Sequence, residues 1–222
     1  SLPSRGLGDV YKRQEEHGQG ARAMIDDGLF QRFPADAVFA MHNIPGMKAG
    51  SFATRAGPMT ASESLFELSV TARGGHAALP HMGVDAILVG AQLVTALQSI
   101  VSRKLDPARN GVVSITEFIT DGSRNVLPSS ALLKGDARAL SNDTNHAIEA
   151  HMRRIAAGIA AANDVDIKVT YDTIFPSLMN DASAVSHAIA AARTISDTVD
   201  PICDAKLFSE DFAHMARTIP GC

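Results

Sequence analysis

The chain is short of cysteine, of aromatic residues and of long apolar runs, and each shortage removes a class of protein. Its two cysteines, Cys203 and Cys222, lie far apart with no CxxC pair. That excludes a disulfide framework and fits a reducing compartment, with the cytoplasm as the default location. No apolar run approaches the roughly 20 residues of a membrane helix, and the first residues lack the apolar core of a signal peptide. Neither a membrane partner nor export is expected. Basic residues are scattered rather than striped and the formal net charge is only -4, so no nucleic-acid partner is expected either. The GxSxG setting of a serine nucleophile, the GxxxxGK[ST] phosphate loop and the Rossmann glycine fingerprint are all missing. There is no internal repeat and no low-complexity tract.

What is present is a chain of 222 residues, 45% hydrophobic but only 5% aromatic, a composition that suits an α/β protein rich in small aliphatic residues. Ser1–Gln14 (SLPSRGLGDVYKRQ) has no usable period and resembles translated library adapter, so residues 1–14 are set aside as a non-native tail. The last residues, Thr218–Cys222, stop in a turn, and a fragment cut at both ends is expected. Gly18–Phe30 predicts a helix with Ala21, Met24, Ile25 and Leu29 on one face and Gly28 near its end. Ala37–Met41 is a short continuous apolar run, which predicts a strand buried on both faces that delivers His42 at its C-terminal edge. Active sites of open α/β sheets lie at that edge.

Residues 58–172 read as a separate domain. Phe66, Leu68, Val70 and Ala72 alternate with polar residues as in a half-buried strand. Asp85 then caps a helix whose stripe is predicted as Ile87, Ala91, Val94, Leu97 and Val101. Strands are predicted over Val112–Ile119 and Ala131–Leu140. A second helix follows from Ser141, with Ile148, Met152, Ile155 and Ile159 in register, and Val165–Tyr171 closes the set. Strand, helix, strand, strand, helix, strand is the ferredoxin-like order, with both helices on one face of the sheet. Residues 15–57 and 173–222 would form the flanking α/β domain.

Several residues have the chemistry of a site. Glu15 and Glu16 are adjacent, and in extended chain neighbouring side chains point opposite ways, so one can ligate a metal while the other handles a proton. A pair of solvated surface charges is the plain alternative. His42, after the apolar run, pairs naturally with Glu16 across the turn, although a lone histidine there is also a common structural residue. Arg73-Gly74-Gly75-His76 ends the first strand of the inserted domain, and its glycines permit close backbone approach. Asn125 suits an Asx turn. Arg138 shares a strand face with Lys134 and Asp136, away from the helices, where either a salt-bridged surface or carboxylate recognition is open. Ser209-Glu210-Asp211 reads locally as a helix cap.

Taken in order, several runs resemble one family: Glu15-Glu16-His17-Gly18-Gln19-Gly20, Met41-His42-Asn43-Ile44-Pro45-Gly46, Arg73-Gly74-Gly75-His76-Ala77-Ala78-Leu79-Pro80-His81, Ile100-Val101-Ser102-Arg103, Asn125-Val126-Leu127-Pro128 and Ser209-Glu210-Asp211-Phe212. It is the hippurate hydrolase and N-acyl-amino-acid amidohydrolase group of metallo-aminoacylases and carboxypeptidases. The resemblance runs from Glu15 to Cys222. It implies a catalytic α/β domain with two divalent ions (zinc, manganese or cobalt), interrupted by a ferredoxin-like lid through which the protein forms a homodimer. By likeness, Glu15 is the general base, and Glu16 and His42 are metal ligands. His76 stabilises the oxyanion in the active site of the other subunit, while Asn125 and Arg138 hold the substrate, Arg138 by the carboxylate of the released amino acid. The group's further ligands come from an upstream histidine segment, a Cys-Gly-His-Asp stretch and a histidine beyond Cys222, and this chain does not contain them. Phe208 stands where a glycine usually precedes Ser-Glu-Asp.

The expected activity of the parent protein is therefore hydrolysis of the amide of a small N-acyl amino acid. A dipeptidase or deacylase of the same wider group is the near alternative, and a non-catalytic dimerisation or binding module the distant one. With only two of the ligands present, the 222-residue chain itself is expected to be inactive. Assay of the purified chain on N-acetyl and N-benzoyl amino acids with added zinc, manganese or cobalt should show no turnover above background, and robust turnover would contradict the fragment expectation.

Overall fold

The computed structural model describes residues 18–222. The chain divides into two compact units, one formed by the residues up to Glu63 together with Ile174–Cys222, the other by Ser64–Thr173.

The second unit is built on one sheet. Its elements are β1 (Ser62–Thr71), α1 (Ala86–Ser99), β2 (Gly111–Thr120), β3 (Ser130–Ala139), α2 (Asn142–Asn163) and β4 (Asp166–Phe175). The four strands lie in the order β2-β3-β1-β4. β2 and β3 form an antiparallel hairpin from Gly111↔Ala139 to Thr120↔Ala131, with a register shift between Ile115 and Glu117. Period-two burial sets the faces. Phe66, Leu68 and Val70 of β1 and Leu133 and Ala137 of β3 are fully covered and pack with Val89, Leu93 and Leu97 of α1 and Ile148, Met152 and Ala156 of α2. The opposite face carries Glu67, Glu117, Lys134, Asp136 and Arg138.

Both helices start where side-chain caps dictate. Asp85 accepts from the Ile87 amide at α1, and Ser141 accepts from the Thr144 amide at α2, each satisfying an otherwise orphaned donor. The predicted stripe of α1 is corrected in part, since Leu97 is buried and Val94 packs against the core. Val89, Leu93, Leu97 and Ile100 face the core, whereas Ile87 and Val101 are 46% and 38% exposed. The helix is apolar on more than one side, so its periodicity admits two stripes, and packing on the sheet selects one. Among the described residues, Ala86–Lys104 is the stretch long and apolar enough to cross a membrane by length and composition. That is an exception to the sequence expectation, but its fully buried stripe lies in the core of this unit.

A polar network closes the core beneath α2. Tyr171 Oη donates to Asn145 Oδ1 at 2.7 Å, Ser64 Oγ donates to the same oxygen at 3.1 Å, and Asn145 Nδ2 donates to Thr173 Oγ1 at 3.0 Å. Asn145 is buried, so each of these bonds replaces one that water would make. Burial pushes the Tyr171 phenol up to about 12.

The first unit is looser. Helix Gly20–Asp26 and the single turn Leu29–Arg32 replace the one predicted helix. Gly28, at φ 86°, breaks it in the left-handed region that glycine occupies without strain. Phe52–Ala53 pairs in parallel with Val199–Asp200, Gly57–Thr60 pairs antiparallel with Leu178–Asn180, and helix Ala182–Arg193 is capped by Asp181. A small core of Leu178, Phe212 and Ala213 gathers Val38, Met59 and Met215 around it.

The doubly buried strand predicted at Ala37–Met41 is corrected too. Val38 makes one parallel bridge to Gly221, and the backbone bonds of the segment run to Pro220–Cys222. Phe39 and Met41 are 51% and 85% exposed. Strand side chains point to the sheet faces and are buried by elements packed over those faces, and among the described residues no element packs fully over Phe39 and Met41.

Removing the hub of the polar network should be costly. Asn145→Ala leaves Tyr171 Oη without its Asn145 acceptor and Ser64 Oγ with Thr173 Oγ1, 2.9 Å away, as its remaining partner, and urea unfolding should show a loss of roughly 1–3 kcal/mol; a loss under about 0.5 kcal/mol, the level of an ordinary surface change, would contradict a structural role.

Candidate active site

His42 follows the Val38 bridge, where the Ala40 amide donates to the Cys222 carbonyl at 3.1 Å. Its Nδ1 lies 2.7 Å from Glu210 Oε2. The glutamate side chain is 16% exposed and the imidazole 50%, so the carboxylate is the sheltered partner and the ring keeps an open side. The Phe208 ring packs against the imidazole at 5.2 Å between centroids, tilted by 31°. The loop carrying Phe208 and Glu210 is itself fixed. The Ala61 amide donates to the carbonyls of both Lys206 and Phe208 at 3.1 Å, and the Lys206 amide donates to the Met59 carbonyl at 2.8 Å.

The cap reading of Ser209-Glu210-Asp211 is corrected. Asp211 precedes helix Phe212–Ala216 but makes no side-chain cap bond. Its carboxylate instead accepts from the Ala21 amide at 2.9 Å, tying this turn to helix Gly20–Asp26. Glu210 is thus a functional candidate that local reasoning missed. The signal for it was the acidic run inside a family motif, which local capping rules explained away.

Glu15 and Glu16 lie outside the described residues. Among the described residues no three His, Cys, Asp or Glu side chains gather as a metal site. What the described donors offer is one imidazole, braced on Nδ1 by a carboxylate, which is the usual second partner of a metal-binding histidine.

In the other unit His76 and Asn125 are brought together. Gly75–His76 pairs antiparallel with Val126–Leu127, His76 opposite Val126, and the Ala77 amide donates to the Asn125 carbonyl at 2.9 Å. Gly74 makes this approach possible, because a Cβ there would meet the Leu127 carbonyl oxygen at 2.5 Å. His76 Nδ1 accepts from the Ala78 amide at 3.1 Å. The hairpin bearing Asn125 is anchored by Asp121, whose carboxylate accepts from Ser129 Oγ at 2.7 Å and from the Ser130 amide at 2.9 Å. The Ser129 hydroxyl, then the Ser130 amide, hold that carboxyl down to about 2.

Arg138 is not part of this cluster. It stands near the far end of β3, and its Nε donates to Asp136 Oδ2 at 2.8 Å, with both side chains about a quarter exposed (23% and 27%). Ser130, at the hairpin end, and Arg138 are separated by most of β3, and at about 3.3 Å per residue that is roughly 26 Å.

With this geometry the class is clear: the chain belongs to peptidase family M20/M25/M40, whose model matches residues 8–222. The resemblance read from the motifs is borne out. Hippurate hydrolase of Campylobacter jejuni is 39% identical over 188 residues, 84% of this chain and 49% of the relative. N-acetylcysteine deacetylase of Bacillus subtilis is 35% identical over 213 residues, 96% of this chain and 55% of the relative. A solved Bacillus subtilis structure described as a dinuclear metal-binding peptidase of the M20 family superposes with a TM-score of 0.76 at 29% identity, covering 93% of this chain and 51% of the other. The chain spans about half the length of the curated relatives it matches.

The Asp121 anchor sets a pH dependence with a definite sign. A carboxyl held low contributes stability that is present above its ordinary value of 3.8 and is lost as pH falls through about 2. In an NMR titration the Asp121 carboxyl should titrate near 2, with the His76, Val126 and Ser130 amide shifts following it; a midpoint at the ordinary carboxyl value would contradict the anchor.

Proposed function

We propose that the chain is part of a metal-dependent amidohydrolase that cleaves the amide of a small N-acyl amino acid by attack of activated water. Residues up to 57 and from 173 onward belong to its catalytic domain, and residues 58–172 form a ferredoxin-like lid through which two copies dimerise. His42 and Glu16 hold metal, and Glu15 takes the proton of the attacking water. The ions, when bound, supply the Lewis acidity that lets water attack at neutral pH. His76 donates to the oxygen on which charge develops, Asn125 helps to hold the acyl amide, and Arg138, its guanidinium steadied by Asp136, grips the product carboxylate. The unpaired thiols Cys203 and Cys222 suit a cytoplasmic enzyme.

One observation carries the dimeric part of this reading. His76 and Asn125 stand at one end of β3 and Arg138 at the other, a separation of roughly 26 Å that no N-acyl amino acid spans. If all three touch one substrate, they come from two copies. The sheet offers a surface for the second copy. Among the described residues β2 is paired on one side only, Phe118 and Ile119 on it are 41% and 49% exposed, and Ile87 and Leu88 of α1 and Val101 just past its end are also open. A ten-residue edge strand beside exposed apolar side chains is a surface that proteins normally cover.

Mixing two inactive variants tests it. In the full-length protein His76→Ala and Arg138→Ala should each lose at least about 10²-fold in kcat/KM, of the order seen when an oxyanion donor is removed. Their mixture, after subunit exchange, should regain activity, because one site of each heterodimer has both residues intact. No recovery despite demonstrated exchange would place His76 and Arg138 in one chain's own site and contradict the proposal.

A further inference from the structure

Two histidines of this chain accept and donate in opposite senses. His42 Nδ1 lies 2.7 Å from a glutamate oxygen of Glu210. A carboxylate at neutral pH only accepts, so the ring proton belongs on Nδ1 and the lone pair on Nε2. His76 Nδ1 lies 3.1 Å from the Ala78 backbone nitrogen. An amide N–H only donates, so the neutral ring carries its proton on Nε2.

We propose that Glu210 and the Ala78 amide are positioning groups that fix His42 and His76 in opposite tautomers, His42 as a lone-pair ligand and His76 as an N–H donor. This rests on the roles given to the two rings above, and it says what makes each ring fit for its role. Exchanged tautomers would disable both. A proton on His42 Nε2 blocks ligation, and a lone pair on His76 Nε2 repels a developing oxyanion.

His42 is the ring that needs the help, since a free neutral imidazole prefers its proton on Nε2. Glu210 can enforce the less favoured form because its carboxylate is sheltered and its loop is bonded to Ala61. Phe208 bears on the ring face, which restricts turning of the imidazole. That gives the bulky residue a use at a position where the resemblance leads one to expect glycine. His76, by contrast, is fixed within its own loop. Its Nδ1 meets the amide two residues on, and its carbonyl accepts from the Leu79 amide at 2.8 Å. Neither arrangement needs a metal to be present.

Long-range proton–nitrogen correlation spectra of the ¹⁵N-labelled 222-residue chain test this directly, recorded about two units above the ordinary imidazole value of about 6.5. His42 should be protonated on Nδ1 and bare on Nε2, and His76 the reverse. In Glu210→Ala the His42 proton should move to Nε2 while the His76 pattern stays. A proton on His42 Nε2 or on His76 Nδ1 in the unsubstituted chain overturns the proposal, and so does a His42 pattern indifferent to Glu210→Ala. The unsubstituted spectrum decides the tautomers even if the variant fails to fold. Zinc calorimetry on the full-length protein separates this inference from the functional reading. Glu210→Ala should weaken binding about 10–100-fold, whereas an unsubstituted protein that takes up no zinc but shows the expected tautomers would sink the metal reading alone.

Discussion

The length of one strand governs the chemistry available to this chain. β3 spans Ser130–Ala139, is hydrogen-bonded to β2 along its whole length, and buries Ala131, Leu133, Ala137 and Ala139 on its helix side. It therefore can neither bend nor slip without exposing a core that Leu93, Leu97, Ile148 and Met152 fill completely. A one-residue slip would turn Arg138 inward and Ala137 outward. Rigidity of this kind fixes the His76–Asn125 cluster and Arg138 at opposite ends, and from that separation follows the proposal that a complete substrate site draws on two copies.

Short hydrogen-bonded ties then place the individual groups. Asp121 clamps the hairpin that carries Asn125, Gly74 lets His76 come alongside it, and Asp136 holds Arg138. In the other unit Asp211 and Glu210, neighbours in sequence, reach different targets, the Ala21 amide and the His42 ring. Every hydrogen bond among these ties has a carboxylate as its acceptor, the charge-assisted class of bond worth most when partly sheltered from water. Among the described residues the first unit has the smaller apolar core, Leu178, Phe212 and Ala213, and it leaves Phe39 and Met41 exposed.

Much of the second unit was legible in the sequence because local and global signals agree there. Period-two alternation over Phe66–Val70, the Asp85 and Ser141 caps, and the four-three spacing of Ile148 and Met152 all point to elements that the fold retains. Legibility failed where a local rule had a competitor. Helix α1 is apolar nearly all round, so spacing alone could not choose between the Ile87–Val101 stripe and the Val89–Leu93–Leu97 stripe. Ala37–Met41 satisfied the pattern of a buried strand, but among the described residues no element packs fully over Phe39 and Met41. Ser209-Glu210-Asp211 satisfied a capping rule, while its real partners lie 168 residues away for Glu210 and 190 for Asp211. Of the proposed site, His76 and Asn125 proved adjacent through a short strand pairing that no periodicity announces, and Glu210 emerged only from tertiary contact.

The most direct measurement of the two-copy proposal is the solution mass of the chain itself, by light scattering behind size exclusion across a dilution series. The sheet and both helices of the second unit lie within the described residues, so on the two-copy proposal a dimer of twice the chain mass is predicted, persisting on dilution and broken by a charge placed on the open apolar edge at Ile119→Asp. A monomer at every concentration would contradict it.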